Sequence, residues 1–252
     1  MTHSWLLATA YAAVCALWWL LSRVVPLWRD AARPQFSRPW REVGLVFLAI
    51  AAVLALGQLW VRGVRLTLPG PWFPLAESVN QLIIFAPLIA VPVVRGDGWA
   101  SAWVRTDKLP LRLAIGLALA LFALFLFASL ERGAPSWLNT VRSVFSPRRA
   151  HLAVQVLLED LAIAILFVRL GAAMGPRRAI LAVAGLFAAA HIPSMIARGD
   201  AVRELFGLLR DFGLGALVIG TAWRSADIAW VWPVHYALDM TQFLQSAALT
   251  SR

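Results

Sequence analysis

Long stretches of apolar residues, separated by short segments rich in arginine and proline, constrain this chain more than any other feature. Most are close to the ~20 residues that a helix needs to cross the hydrocarbon core of a bilayer. Since that core offers no water to unpaired backbone groups, the segments must form helices. We therefore predict an all-α polytopic membrane protein, a bundle of about eight transmembrane helices. The predicted spans are 5–22, 43–61, 71–94, 112–130, 154–170, 179–195, 213–223 and 226–249. The fourth contains no group that could do chemistry and is predicted to be scaffold, and a polar amphipathic segment, 201–212, precedes the seventh.

The composition supports this prediction. Hydrophobic residues make up 61% of the chain, charged residues only 14%, and the mean hydropathy is +0.74. Soluble domains average about half apolar and a quarter charged residues. We find no internal repeat, low-complexity tract or soluble domain, so residues 1–252 are predicted to form a single helical membrane domain. The chain is expected to be an integral, multi-pass protein of the plasma membrane of a bacterium.

The formal net charge of +10 comes from arginines distributed among the loops. A nucleic-acid-binding protein concentrates its basic residues on one face, so no nucleic-acid partner is expected. Arginines that flank apolar spans are typical of contacts with anionic lipid headgroups and of topology determinants. Five of them lie in the first loop, 23–41, which we therefore place on the cytoplasmic side.

The fifth span carries two adjacent acids, Glu159 and Asp160, near its middle. Carboxylates within hydrocarbon cost several kcal/mol unless they meet a partner or a hydrated cavity. Later apolar spans contain three further ionisable groups at comparable depth, namely His191, His235 and Asp239. We predict that these five side chains form one site.

Helix geometry limits how these groups can act together. His235 and Asp239 are four residues apart, so they project from the same face of a helix. Glu159 and Asp160 point about 100° apart, so one is expected to make the direct contact and the other to support it. A buried carboxylate such as Glu159 can activate water, His191 can hold that water, and His235 can donate to an oxyanion.

The same side chains are compatible with a second chemistry. Two histidines and one carboxylate form a set of three zinc ligands with an open fourth position. Glu159, His191 and His235 are the candidates for such a site. The residues alone do not decide between zinc and metal-free hydrolysis.

Three short motifs occur in order on separate spans: the acid pair, an F-x-x-x-H segment that ends at His191, and an H-x-x-x-D segment from His235 to Asp239. Together they resemble the motifs of the CPBP family of intramembrane proteases. That family includes the eukaryotic CAAX prenyl endopeptidases and bacterial relatives linked to bacteriocin immunity or surface-protein processing. The resemblance covers about residues 152–249 and implies that this half is a catalytic core.

The resemblance also implies residue roles. Glu159, the first acid of the pair, and His191 correspond to the residues that activate water in the family. His235 and Asp239 correspond to the residues that stabilise the oxyanion. The family usually has an arginine five residues after the first acid, where this chain has Ala164. Arg169 lies five residues beyond that position, and we expect it to be an interfacial charge.

Three functional hypotheses follow. The leading one is a CPBP-type endopeptidase that hydrolyses a peptide or protein substrate at the membrane. The second is a catalytically inactive interaction or immunity module of the same fold, which the missing arginine favours. The third is a small transporter with Glu77 and Glu159 as proton sites, although no inverted repeat is evident.

One polar face in the third span has two interpretations. Glu77, Asn80 and Gln81 lie at i, i+3 and i+4, so they share one side of the helix. They either lie near the membrane boundary or hydrogen-bond to a neighbouring helix, or they have a role in a substrate path.

Overall fold

The computed structural model describes residues 3–28, 34–190, 192 and 201–250, and every regular element among them is a helix. The α-helices are α1 (His3–Val24), α2 (Pro39–Val61), α3 (Phe73–Arg95), α4 (Leu109–Arg132), α5 (Trp137–Val144), α6 (Ala150–Met174), α7 (Pro176–Ala190), α8 (Ala201–Ser225) and α9 (Ile228–Thr250). Short 3-10 helices connect several of them, at Pro26–Trp28, Gly70–Trp72, Trp99–Ala102, Ala134–Ser136 and Pro147–Arg149.

Six helical segments of the described part are long and apolar enough to cross a membrane. They are His3–Val24, Pro39–Val61, Gly70–Arg95, Leu109–Arg132, Pro147–Met174 and Leu205–Ser225. The prediction of an all-α, polytopic membrane protein is therefore confirmed. The predicted number of about eight spans is not confirmed, because α7 and α9 are not among these six.

Helix α8 differs from its predicted form. The sequence predicted a polar amphipathic segment followed by a short span, 213–223, whereas α8 is continuous over Ala201–Ser225. Its glycines do not interrupt it, because neighbouring turns supply the backbone hydrogen bonds. At Gly215 a Cβ atom would lie 3.6 Å from Ala184 of α7, so the small residue allows the two helices to approach closely.

Helices α4 and α9 approach each other closely at Gly116. A Cβ atom on Gly116 of α4 would lie 2.5 Å from the carbonyl oxygen of Ala229 and 2.7 Å from Cα of Trp230. Only glycine allows this contact. On the other side of Trp230, its indole stacks on Trp18 of α1, with ring centroids 5.2 Å apart. These contacts fix the depth of α9 relative to α1 and α4.

A buried ion pair joins the beginnings of α4 and α9. Nη1 of Arg112 lies 2.8 Å from Oδ2 of Asp227, and neither side chain is exposed. Asp227 also accepts hydrogen bonds from the Trp28 indole and from the backbone N–H of Ala229. The sequence predicted that the fourth span was scaffold without chemically active groups. Arg112, which begins that predicted span, instead connects three segments of the chain.

Arg169 is not the interfacial charge that the sequence predicted, because its side chain is fully buried. Its Nη2 lies 2.6 Å from Oδ2 of Asp97, just after α3, and its Nε lies 4.0 Å from Oε2 of Glu42 in α2. Glu42 accepts a further bond from Arg95. Mutual neutralisation allows these charges to leave the headgroup region for the protein interior.

Candidate functional site

His235 of α9 lies between two carboxylates. Its Nδ1 is 2.8 Å from Oδ1 of Asp160 in α6, a hydrogen-bonding distance, and its Nε2 is 3.7 Å from Oδ2 of Asp239. Asp160 and His235 are 75 residues apart in the chain. The structure therefore brings together the acid pair and the H-x-x-x-D motif, which the sequence had placed in separate spans.

Glu159 belongs to the same cluster. It offers one carboxylate oxygen to a group of three donor atoms, together with His235 and Asp239, and these atoms all lie within 4.8 Å of one another. Gln155, one turn earlier on α6, donates a hydrogen bond of 2.9 Å to Oε1 of Glu159. We call Glu159, Asp160, His235 and Asp239 the acid–histidine site.

The two adjacent acids approach the imidazole of His235 in different ways. They point in different directions, and the sequence predicted that only one would make the direct contact. The structure places both near one imidazole, because Asp160 hydrogen-bonds to its Nδ1 while Glu159 joins it in the cluster with Asp239. Asp160 thus makes the direct hydrogen bond to the imidazole, and Glu159 joins the cluster through a donor atom within 4.8 Å of the others.

Hydrogen bonds on both sides of His235 hold α9 against its neighbours. The indole of Trp232 donates to the carbonyl oxygen of Ala153 in α6 at 2.8 Å. The hydroxyl of Tyr236 donates to the carbonyl oxygen of Val144, the last residue of α5, also at 2.8 Å. These bonds fix the rotation of α9 and therefore the direction of the imidazole.

The site is buried but not sealed. The exposed fractions of the side chains are 6% for Asp160, 16% for His235 and 26% for Asp239. Such partial exposure within apolar helices is compatible with a site that water can reach. Two cavities of about 380 and 160 Å³ lie near the loop that contains Trp103, toward the beginning of α9, and are lined by other residues.

His191, the fifth predicted site residue, lies outside the described residues. Helix α7, which leads toward it, is described over Pro176–Ala190 and packs against α6 and α8. The predicted role of His191 in holding water stays a prediction. Asp239 and Gln242 make interactions beyond those described above.

Tyr11 of α1 was not predicted as a site residue. Counting from the stacked pair Trp18 and Trp230, Tyr11 lies seven residues toward the start of α1, a rise of about 10 Å. Seven residues along α9 from Trp230 lie in the turn that precedes Asp239, so Tyr11 is a candidate neighbour of the site. A lone tyrosine on the buried side of the first span was the available sequence indication.

The residues of the site fit a divalent metal ion. Glu159, His235 and Asp239 supply two carboxylate oxygens and one imidazole nitrogen, a donor set that zinc and other divalent ions accept. A carboxylate on the second nitrogen, as Asp160 provides, commonly orients a histidine ligand. The sequence had predicted His191 as the third ligand, whereas this set has Asp239 in that role.

The described residues define an all-α, polytopic membrane protein with a partly buried acid–histidine site between α6 and α9. Comparison of the chain with protein-family models, with curated proteins and with solved structures found no match. The resemblance to CPBP proteases therefore depends on the motifs alone.

Proposed function

We propose that this protein is an intramembrane endopeptidase of the CPBP type that cleaves a peptide or protein substrate at the membrane. The observation that carries the proposal is the position of His235 between Asp160 and Asp239, with Glu159 in the same cluster. Ionisable groups within apolar spans are expensive and usually functional. Four of them at one point are more than packing requires.

The proposed reaction is hydrolysis of an amide bond. Glu159 accepts a proton from water, and the water oxygen adds to the carbonyl carbon of the substrate. His235, protonated on both nitrogens and held at Nδ1 by Asp160, donates from Nε2 to the developing oxyanion. When the intermediate collapses, the C–N bond breaks and the leaving amine takes the proton from Glu159. No external oxidant or reductant is needed.

A divalent ion would be an alternative to this scheme, because a metal bound at Nε2 of His235 takes the place of the proton that Nε2 donates in the metal-free reaction. When bound by Glu159, His235 and Asp239, it would supply a Lewis acid for the carbonyl oxygen. It would also remove a difficulty, because the charge of Asp239 otherwise opposes a nearby oxyanion. We place the protein in the bacterial plasma membrane, where apolar helices and loop arginines suit an anionic bilayer.

A catalytically inactive interaction or immunity module is the second candidate, and one observation favours it. Among the residues that the structure describes, no arginine forms an ion pair with Glu159 or Asp160. Ala164, at the position of the family arginine, is fully buried, so a large cation does not fit there without repacking. The acid pair thus lacks the counter-charge expected in the family.

A peptidase assay separates the two candidates. The purified protein in detergent is offered a panel of fluorogenic peptides, together with Glu159→Gln and His235→Ala. We expect each variant to lose about 10²- to 10⁴-fold of the activity. The matched control is Glu131→Gln, which removes a carboxylate paired with His3 near the end of α4. Equal cleavage by the wild type and both site variants, or no cleavage at all, contradicts the peptidase proposal.

A further inference from the structure

Helix α6 carries a polar face that leads from its beginning to the acid–histidine site. His151, Gln155 and Glu159 follow one another at intervals of four residues. Each interval advances about 6 Å along the helix and rotates by only ~40°, so the three side chains form one continuous face. A hydrogen bond from Gln155 to Glu159 joins the two residues that are farthest from the start of α6. Nothing in the proposed reaction accounts for His151.

Helix α3 contributes a buried acid near the start of this face, where His151 lies. α3 and α6 run parallel, because Phe73 contacts the His151 ring near their beginnings and Asp97 pairs with Arg169 near their ends. Glu77, one turn beyond Phe73, is only 6% exposed. An acid buried between two membrane helices needs a polar partner or water.

Asn80 closes the side of this region toward the preceding linker. Its side chain accepts a hydrogen bond from the backbone N–H of Leu66 and donates one to the Leu66 carbonyl, both at 2.9 Å. A weaker contact of 3.4 Å reaches Oε1 of Glu77. The sequence predicted a hydrogen bond to a neighbouring helix, whereas Asn80 bonds to the linker between α2 and α3.

One buried polar atom of the acid–histidine site, Oδ2 of Asp160, has no hydrogen-bond partner within the described part of the chain. Buried polar groups without a protein partner are normally satisfied by water, since leaving them bare costs a few kcal/mol. Water is thus required where the polar face of α6 meets the site.

From these observations we propose that the polar face of α6, with Glu77 of α3, forms a water path. The path leads from the membrane surface where α6 begins, past His151 and Gln155, to Glu159. It supplies the water that hydrolysis consumes, and its use in catalysis rests on the proposed function. Its existence does not, because hydration of Asp160 is required whatever the protein does.

Single-cysteine accessibility tests the path. Cys15 is the only cysteine of the chain and is replaced by alanine. Gln155→Cys is then compared in membrane vesicles with Leu157→Cys, which lies at nearly the same depth but about 160° around α6. A permanently charged thiosulfonate, which does not enter hydrocarbon, should modify Gln155→Cys at least about 10-fold faster. Equal rates at the two positions, or no modification of Gln155→Cys, overturn the proposal.

A second comparison tests continuity. Glu159→Cys should react with the same reagent, and adding Gln155→Phe should slow that reaction by about 10-fold, because the ring fills the path. An unchanged rate contradicts a route past Gln155. If Gln155→Cys fails to fold, as judged by size-exclusion chromatography, His151→Cys against Ala153→Cys repeats the first comparison one turn nearer the surface.

The two proposals fail separately. Modification of Gln155→Cys without any peptide cleavage supports the path and contradicts the endopeptidase. Peptide cleavage that depends on Glu159, without modification of Gln155→Cys, supports the endopeptidase and contradicts the path.

Discussion

Arg112 and Asp227 form a fully buried ion pair, 2.8 Å long, between residues that are 115 positions apart in the chain. Removal of one partner leaves the other charge buried without compensation. We expect Arg112→Met to lower the free energy of unfolding by about 3–5 kcal/mol. Thermal unfolding in detergent measures the loss.

A double-mutant cycle isolates the pair. Asp227→Asn keeps an acceptor for the Trp28 indole but removes the charge. The double variant with Arg112→Met should be less destabilised than the sum of the two single variants. Arg132→Met serves as the control, since that side chain is 64% exposed in a surface pair with Glu131 and should cost less than about 1 kcal/mol. Additive losses in the cycle contradict coupling between Arg112 and Asp227.

Gly116 should tolerate no side chain. A Cβ atom there meets the backbone of α9 at 2.5 Å, and backbone cannot move aside as a flexible side chain does. We expect Gly116→Ala to lower stability by about 1–3 kcal/mol or more. Gly44→Ala in α2, where nothing lies within 4 Å, is the matched control and should be neutral or slightly stabilising. Gly116→Ala should therefore melt at a lower temperature than Gly44→Ala. A higher melting temperature for Gly116→Ala contradicts the close approach of α4 and α9.

The free energy of unfolding should fall as the pH drops below about 4, because Asp107 is then protonated. Partial burial raises the pKa of this carboxyl, but hydrogen bonds from Arg112 and Arg105 outweigh it and hold the pKa below its ordinary value of 3.8. The ionised form is therefore stabilised by folding. This contribution is present above pH 3.8 and is lost as the pH falls through the lowered pKa.

The test of Asp107 is a comparison of melting temperatures over this range. Between pH 5 and pH 3 the wild type should lose slightly more stability than Asp107→Asn. The difference should stay below about 1 kcal/mol, because half of the Asp107 side chain is exposed and solvent screens it. Parallel curves for the two proteins contradict the lowered pKa.

Asp160 should act through His235 and not on the substrate. Asp160→Asn keeps a hydrogen-bonding group at Nδ1 but removes the charge that favours a doubly protonated imidazole. We expect a loss of activity of about 10- to 100-fold, mainly in kcat, and a displaced pH profile. Glu131→Gln is again the control, because its carboxylate pairs with His3 near the end of α4 and is not part of the acid–histidine site. A change in KM alone would assign Asp160 to substrate binding instead.

The membrane-spanning helices were predictable because hydrocarbon forces an apolar segment to satisfy its own backbone. The break assumed within α8 was wrong, since Gly213 and Gly215 permit a continuous helix when α7 packs against it. Arg112 and Arg169 were also misjudged. A charge at the end of a span has the same sequence appearance whether it faces headgroups or a buried partner such as Asp227.

The sequence by itself determined that the chain is a bundle of membrane helices and that costly polar groups lie within them. Those conclusions depend on local composition and on the fixed rotation per residue of a helix. Only the tertiary structure decided which groups meet, because the contact between Asp160 and His235 depends on how α6 and α9 pack. That packing is set by distant features such as Gly116 and the Trp18–Trp230 stack, which leave no periodic pattern in the sequence.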